Sequence, residues 1–172
     1  MRGLSMAMLL STTLTTVAGA GPPGELELFS FLIGEWRASG SGQPGVGTGT
    51  AVFARALQDR AIVRTSYAEY PAAPGKPASR HDDLMLIYTQ AGVVHADYYD
   101  SEGHVIRYLG SSGGPGQAMF VSEPVGGEPA FRLSYKLDGG VLKGEFAIAP
   151  PGPAQAFTPY LTWESPKAGL KK

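Results

Sequence analysis

Tyrosines inside the predicted strands, together with one arginine, are the residues best suited to contact a small molecule. The six candidates are Tyr67, Tyr88, Tyr98, Tyr108, Tyr135 and Arg64. A tyrosine that points into a cavity offers an apolar ring and one hydroxyl, which suits a pocket for a ligand with a polar end. The alternative is a filled barrel core with the hydroxyls near its rim.

Two arginines share one face of a predicted hairpin. A two-residue turn at Gln58-Asp59 pairs Phe53 with Arg64 and places Arg55 on the same face. If this face points inward, the cavity contains guanidinium groups suited to a carboxylate. If it points outward, both arginines are surface groups. We favour the outward arrangement, because burying two unpaired guanidinium groups is costly.

The three histidines are weak candidates for metal or acid–base chemistry. His81 adjoins two aspartates, but neighbouring side chains on an extended segment point in different directions and make a poor metal cage. We therefore read His81 as a solvated loop end. His95 and His104 approach each other and Asp97 in only one of two possible hairpin registers. We predict no metal site and assign no catalytic residue.

Composition and missing motifs exclude several other functions. The chain has no cysteine, which excludes disulfides, thiolate metal sites and a cysteine nucleophile. Its 14 basic and 15 acidic residues leave no basic excess for binding nucleic acid. Residues 40–45 match G-x-G-x-x-G, but Pro44 lies inside the match and a strand follows it, which is typical of a connecting loop. We predict no cofactor.

Short strands account for most of the chain after Gly34. Glycine and proline, 24 and 14 of the 172 residues, punctuate them. The strands are predicted at residues 35–41, 48–57, 60–69, 83–89, 92–99, 104–111, 117–123, 130–137, 141–149 and 156–163. Such spacing without helical patterns between the strands indicates an antiparallel sandwich or barrel. The only predicted helix spans residues 25–33 and ends at Gly34.

Two hairpins have registers that the sequence specifies. A turn at Gly139-Gly140 pairs Leu137 with Leu142 and places every apolar residue of both strands on one face. Around residues 100–103, a three-residue loop ending in Gly103 places Asp97 opposite Arg107. A four-residue loop instead places His95, Asp97 and His104 on one face. We favour the first register, because it opposes opposite charges and gives the more apolar inner face.

The first twenty residues have the parts of a secretory signal peptide in their usual order. Arg2 is followed by a weakly apolar stretch and by the small-residue cleavage signal Ala18-Gly19-Ala20. The alternative is a disordered tail. We predict a signal peptide at residues 1–20, a single domain at residues 21–172, and a secreted or periplasmic location. No other stretch has the length and apolarity of a membrane span.

Residues 31–36, FLIGEW, resemble the opening of the lipocalin and calycin superfamily. The resemblance implies that Gly34 ends the helix and that Trp36 plugs the closed end of a barrel. It also implies that Trp163 lies on the closing strand beside the first strand. Residues 98–103, YYDSEG, are similar to an uncharacterised bacterial family of lipocalin-like proteins.

Departures from related barrels limit what the resemblance implies about function. Nitrobindin-type barrels share the Leu-x-Gly-x-Trp opening and bind haem through a histidine near the C-terminus, but here no histidine follows His104. The Arg-x-Tyr pair of fatty-acid-binding proteins is missing from the final strands. Lipocalins often place an arginine over the conserved tryptophan late in the chain, where only Lys167 is available here.

The sequence as a whole predicts an all-β protein. We expect an antiparallel up-and-down β-barrel of about ten strands with a short N-terminal capping helix, a size that can enclose one small ligand. The Pro-rich residues 70–80 would lie near the opening as a lid. The expected function is binding of a small apolar or amphipathic molecule by an exported bacterial protein. The alternatives are a hydrolase, isomerase or decarboxylase using a His/Asp/Tyr cluster in the same cavity, and a ligand-free interaction module.

Overall fold

The computed structural model of the protein describes residues 24–123, 126–152 and 156–169. The predicted signal peptide therefore lies outside the described residues. A 3₁₀ helix at Glu25–Leu32 precedes ten strands. The strands are β1 Gly34–Gly42, β2 Gly45–Ala56, β3 Ala61–Tyr70, β4 Ser79–Gln90, β5 Val93–Asp100, β6 Val105–Gly114, β7 Gln117–Ser122, β8 Ala130–Asp138, β9 Val141–Ala149 and β10 Thr158–Pro166.

The ten strands form a closed antiparallel barrel. Each strand pairs with its neighbours in sequence, and β10 returns to pair with β1, where Gly40 lies opposite Trp163. This confirms the predicted all-β fold with its ten strands and short N-terminal helix. No helix in the described ranges has both the length and the apolar character required to cross a membrane.

The strand registers predicted from turn residues and alternation are confirmed. Leu137 pairs with Leu142 across the Gly139-Gly140 turn. Asp97 lies opposite Arg107, as the three-residue loop requires, and Gly103 takes the left-handed conformation with φ 92°. The hairpin formed by β2 and β3 places Arg64 opposite Phe53, as predicted from the turn at Gln58-Asp59. These registers determine which side chains enter the barrel.

The helix and the first strand close one end of the barrel. Trp36 is almost fully buried, and its Nε1–H donates a hydrogen bond to the Leu32 carbonyl oxygen at 2.6 Å. The Lys167 ammonium lies 5.5 Å from the centre of the Trp36 ring, within cation–π range. Position 34 requires glycine for two reasons. Its φ of 137° is one that other residues rarely adopt, and a Cβ there would lie 2.6 Å from Lys167 Cε.

The two halves of the barrel interior are filled differently. In the half under the helix, the inward side chains Phe53, Ile62, Ile87 and Leu142 are essentially fully buried. In the opposite half, inward side chains are only half-buried although they face the barrel axis. They are Tyr98, Ile106, Phe131, Phe146, Ile148 and Leu161. The first half is thus a packed core, whereas the inward side chains of the second half, which we call the open half, remain partly accessible to solvent.

The favoured outward orientation of the arginine face on β2 and β3 was wrong. Phe53 and Arg64 are 1% and 6% exposed, so this face points into the barrel. The expected cost of burial assumed unpaired guanidinium groups. Both are paired: Arg64 contacts Asp83, and Arg55 contacts Glu27 of the helix at 2.5 Å.

Candidate ligand-binding site

A buried ion pair lies where the packed core meets the open half. Arg64 Nη2 donates to Asp83 Oδ1 at 2.6 Å, and the other Asp83 oxygen accepts a hydrogen bond from Ser66 Oγ at 2.6 Å. Alternation along β3 directs both Arg64 and Ser66 inward, and Asp83 lies opposite Ser66 on β4. The side chains of Arg64 and Asp83 are only 7% and 10% exposed. The charges are therefore held away from bulk water and neutralise each other.

Tyr135 joins this pair to the far wall of the barrel. Arg64 Nη1 donates to the Tyr135 hydroxyl oxygen, which links β3 to β8 across the interior. The Tyr135 ring meets Phe53 and Trp163 edge-on, with ring centres 5.7 Å and 6.0 Å away. These contacts hold the Tyr135 ring, and thereby orient the hydroxyl toward Arg64.

Trp163 lies between glycines on both neighbouring strands. It pairs with Gly40 on β1 and with Gly144 on β9. A Cβ at position 144 would lie 2.1 Å from Trp163 Cε2, so the indole occupies the space that a side chain there would fill. The two glycines thus make room for the tryptophan that supports Tyr135.

Burial keeps the interior tyrosines neutral. Removal from water raises the pKa of Tyr98, Tyr108 and Tyr135 above the ordinary value of a phenol. Burial alone would lower the pKa of Arg64, but the charge of Asp83 and the neighbouring tyrosines raise it instead. Arg64 is therefore a permanent cation surrounded by one carboxylate and neutral phenols.

A second polar group of residues lies at the mouth of the open half. The Tyr98 hydroxyl lies 2.9 Å from His81 Nε2 and 3.3 Å from Asp100 Oδ2. His81 Nδ1 lies 3.1 Å from Glu102 Oε1. Asp100 accepts from the backbone N–H groups of Glu102 and His104, and its other oxygen lies 2.9 Å from His104 Nδ1. These contacts tie the β5–β6 turn to β4.

His81 is a member of this site that sequence reasoning missed. The predicted strand began at residue 83, whereas β4 begins at Ser79. Residues two apart on a strand face the same side, so a strand extended back to His81 would have placed this side chain inside together with Asp83. The signal was hidden because residues 79–82 are polar and carry no apolar alternation.

The structure brings together only some of the predicted ligand contacts. Arg64, Tyr98, Tyr108 and Tyr135 all face the interior, as their strand positions require. Tyr67 and Tyr88 instead lie on the outer wall. Side chains alternate along a strand, and these two residues directly follow the inward-facing Ser66 and Ile87. These two tyrosines therefore do not line the interior.

Both outer tyrosines have partners that explain their position. The Arg80 guanidinium lies over the Tyr67 ring, 4.1 Å from its centre. Tyr88 stacks on His95 with ring centres 5.6 Å apart. Each ring covers part of the outer barrel wall.

The histidine cluster considered for catalysis does not assemble. His95 and Asp97 face outward, and His104 is exposed at the mouth beside Asp100. Over the described ranges, no three His, Cys, Asp or Glu residues are arranged to hold a metal ion. The residues of the proposed acid–base cluster therefore do not share a cavity.

Apolar and polar groups are arranged in layers along the open half. Phe131 and Phe146 stack with ring centres 5.9 Å apart on the wall formed by β8 and β9. Arg64 lies nearer the helix end of its strand than Phe146 does. A molecule entering from the mouth would thus pass apolar walls before reaching the ion pair. Residues 71–78 connect β3 to β4 at this mouth, where Lys76 Nζ reaches the Gln43 carbonyl at 3.3 Å.

A groove of about 800 Å³ runs across the wall formed by β1, β10, β9, β8, β7 and the end of β6, and its lining includes Tyr135 and Trp163. Most of its side chains, such as Ser41, Glu145 and Thr162, point away from the interior. Its lining contains none of the half-buried inward side chains that define the open half.

Comparison with known proteins supports the fold. No protein-family model matches the chain, and no curated protein matches its sequence. Among solved structures, the crystal structure of Rv2717c from M. tuberculosis is similar, with a TM-score of 0.62 and 17% sequence identity. The match covers 83% of this chain and 96% of that chain. Similarity at this level shows a shared barrel fold and does not single out the lipocalin and calycin superfamily.

Proposed function

We propose that the protein reversibly binds a small apolar or amphipathic molecule in the open half of its barrel. The contrast between the two halves carries this proposal. Inward side chains under the helix are fully buried, whereas Phe131, Phe146 and Tyr98 on the open side stay half-buried. Inward aromatic side chains that stay partly accessible leave apolar surface that a ligand could cover, whereas the packed half leaves none.

The lining suits a ligand with one polar end. Phe131 and Phe146 provide apolar surface, and each Å² of apolar ligand area that they bury contributes about 25 cal/mol before the costs of immobilisation. Arg64 supplies the hydrogen-bonding group that orients the polar end, and Tyr98 and Tyr135 line the site beside it. Tyr108 is 2% exposed and supports them from within the core.

Export and a relation to lipocalins are further parts of the proposal. The order of charged, apolar and small residues in 1–20 supports a signal peptide and a secreted or periplasmic location. The contacts among Gly34, Trp36 and Lys167 at the closed end support a relation to the lipocalin and calycin superfamily. N-terminal sequencing of protein recovered from its host tests the cleavage, which we expect after Ala20.

Filling the open half tests the binding site directly. Ala68 faces inward on β3 and is half-buried, so Ala68→Trp places an indole in the proposed ligand volume. Thr65→Trp adds the same group to the outer face of the same strand and is the matched control. We expect N-phenyl-1-naphthylamine fluorescence to rise on binding to wild type and to Thr65→Trp, and this response to be lost in Ala68→Trp.

Two results would contradict the proposal. One is a wild-type protein that binds no apolar dye and carries no co-purifying molecule in native mass spectrometry. The other is an Ala68→Trp variant that remains folded and binds the dye as wild type does.

A further inference from the structure

The charged side chains that face the open half disfavour an anionic ligand. Arg64 is the sole lysine or arginine among the described inward-facing residues there, and Asp83 pairs with it at 2.6 Å. A second carboxylate, Asp100, faces inward directly opposite Asp83 on the next strand. An anionic ligand would therefore enter beside two carboxylates and meet a cation whose charge is already matched. Burying such an excess charge is costly.

One buried donor in the site has no acceptor. Arg64 Nη1 and Nη2 are taken by Tyr135 and Asp83, but its Nε has no hydrogen-bond partner among the described residues. Only 6% of the Arg64 surface is exposed, so this N–H is shielded from bulk solvent. A buried donor without a partner is destabilising, and an acceptor atom on a ligand would relieve that cost.

The hydroxyl groups nearest to Arg64 are neutral and already have partners. Tyr98, whose ring centre lies 5.7 Å from the Arg64 guanidinium carbon, keeps its proton, and its hydroxyl is engaged by His81 and Asp100. Ser66 is engaged by Asp83. Among the described residues, the site therefore has one donor without a partner, Arg64 Nε, and no lysine or arginine without a counter-charge.

We propose that the ligand of the open half is uncharged and presents a hydrogen-bond acceptor, such as a carbonyl or amide oxygen, to Arg64. This inference rests on the proposed function and narrows its ligand class. An inward arginine on its own would suggest a ligand with a carboxylate, but the pairing of Arg64 with Asp83 argues against that class of ligand.

Ligands that differ only in the charge of the polar end test the inference. Octanamide and octanoate have the same chain and nearly the same shape, and octylamine carries the opposite charge. At pH 7, octanoate is ionised and octanamide is neutral. We expect octanamide to displace the naphthylamine dye from wild type with an affinity at least about tenfold higher than either charged ligand.

A single charge removal should change this order. Asp83→Asn keeps the side-chain size but leaves Arg64 without a counter-charge, so octanoate should gain at least about tenfold in affinity relative to octanamide. Asp97→Asn makes the same change on the outer wall and should leave the ratio as in wild type. If Asp83→Asn does not fold, the ratio measured on wild type still decides.

The outcomes separate this inference from the function on which it rests. If octanoate or octylamine bound wild type more tightly than octanamide, the inference of an uncharged ligand would be wrong, but the proposed binding function would still hold. The same conclusion would follow from dye binding that neither octanamide nor octanoate displaces. Failure of the wild type to bind any apolar probe would instead remove the proposed function itself.

Discussion

At the scale of single residues, partners on other strands decide which polar groups enter the barrel. Arg64 is buried because Asp83, 19 positions away, neutralises it and Tyr135, 71 positions away, accepts its second hydrogen bond. Neither partner is evident from the residues around Arg64. For this reason the sequence yielded Arg64 as a candidate but favoured the wrong orientation for it.

Asp100 gives a pH-dependent prediction at this scale. Burial alone would raise the pKa of Asp100, but hydrogen bonds from His104 and from the Glu102 backbone outweigh it and lower the pKa. The ionised form therefore stabilises the fold above the unfolded pKa of about 3.9, and this stabilisation is lost as the pH falls through the lower folded pKa. We expect Asp100→Asn to lower the free energy of unfolding at pH 7 by about 1–2 kcal/mol.

Urea unfolding at pH 7 and at pH 3 measures this effect. The difference between wild type and Asp100→Asn should shrink at the lower pH, because wild type begins to lose its carboxylate there. Asp97→Asn serves as the control. A difference that stays constant with pH would show that the Asp100 charge does not stabilise the β5–β6 turn.

At the scale of strands, turn residues and alternation predicted most of the architecture. The Gly139-Gly140 turn and the alternating apolar residues beside it specify one register, because a shift by one residue would expose the apolar face. The start of β4 was missed because its first residues are polar. Consequently the sequence predicted the barrel wall well, but placed Tyr67 and Tyr88 inside it and left His81 out of the mouth.

Gly144 tests the packing between β9 and β10. In Gly144→Ala the new methyl group would lie 2.1 Å from Trp163, whose ring is held against Tyr135. We expect the free energy of unfolding to fall by about 1–3 kcal/mol and the near-ultraviolet circular dichroism of tryptophan to change. Gly24→Ala is the control, because a Cβ there meets nothing within 4 Å and its φ of −60° suits alanine.

The packing prediction has a clear negative result. If Gly144→Ala were as stable as Gly24→Ala with an unchanged aromatic spectrum, Trp163 would not be confined by β9.

At the scale of the whole molecule, closure of the barrel and the plug at one end act together. Trp36 bonds to Leu32 of the helix and lies under Lys167, which follows β10. It thereby connects the beginning and the end of the described chain. The Gly-x-Trp pattern made this role predictable, whereas closure itself depends on the β1–β10 pairing, which joins residues 119 to 125 positions apart.

Trp36→Phe tests the plug. The variant removes the hydrogen bond to Leu32 and part of a fully buried ring, so the unfolding free energy should fall by about 2–4 kcal/mol. Hydrogen exchange of residues 25–32 should accelerate more than exchange in β7 and β8. Uniform acceleration throughout the barrel would show that Trp36 does not anchor the helix specifically.

Because the helix closes one end of the barrel, a ligand of the proposed site would enter and leave at the opposite end, past residues 71–78 and 101–104. A molecule seated with its polar group on Arg64 points its hydrocarbon tail toward the exit, since Phe131 and Phe146 lie on that side. A ligand bound in this way would leave the barrel with its hydrocarbon tail first. Substitutions in these two segments are therefore expected to change the dissociation rate of a bound ligand more than its affinity.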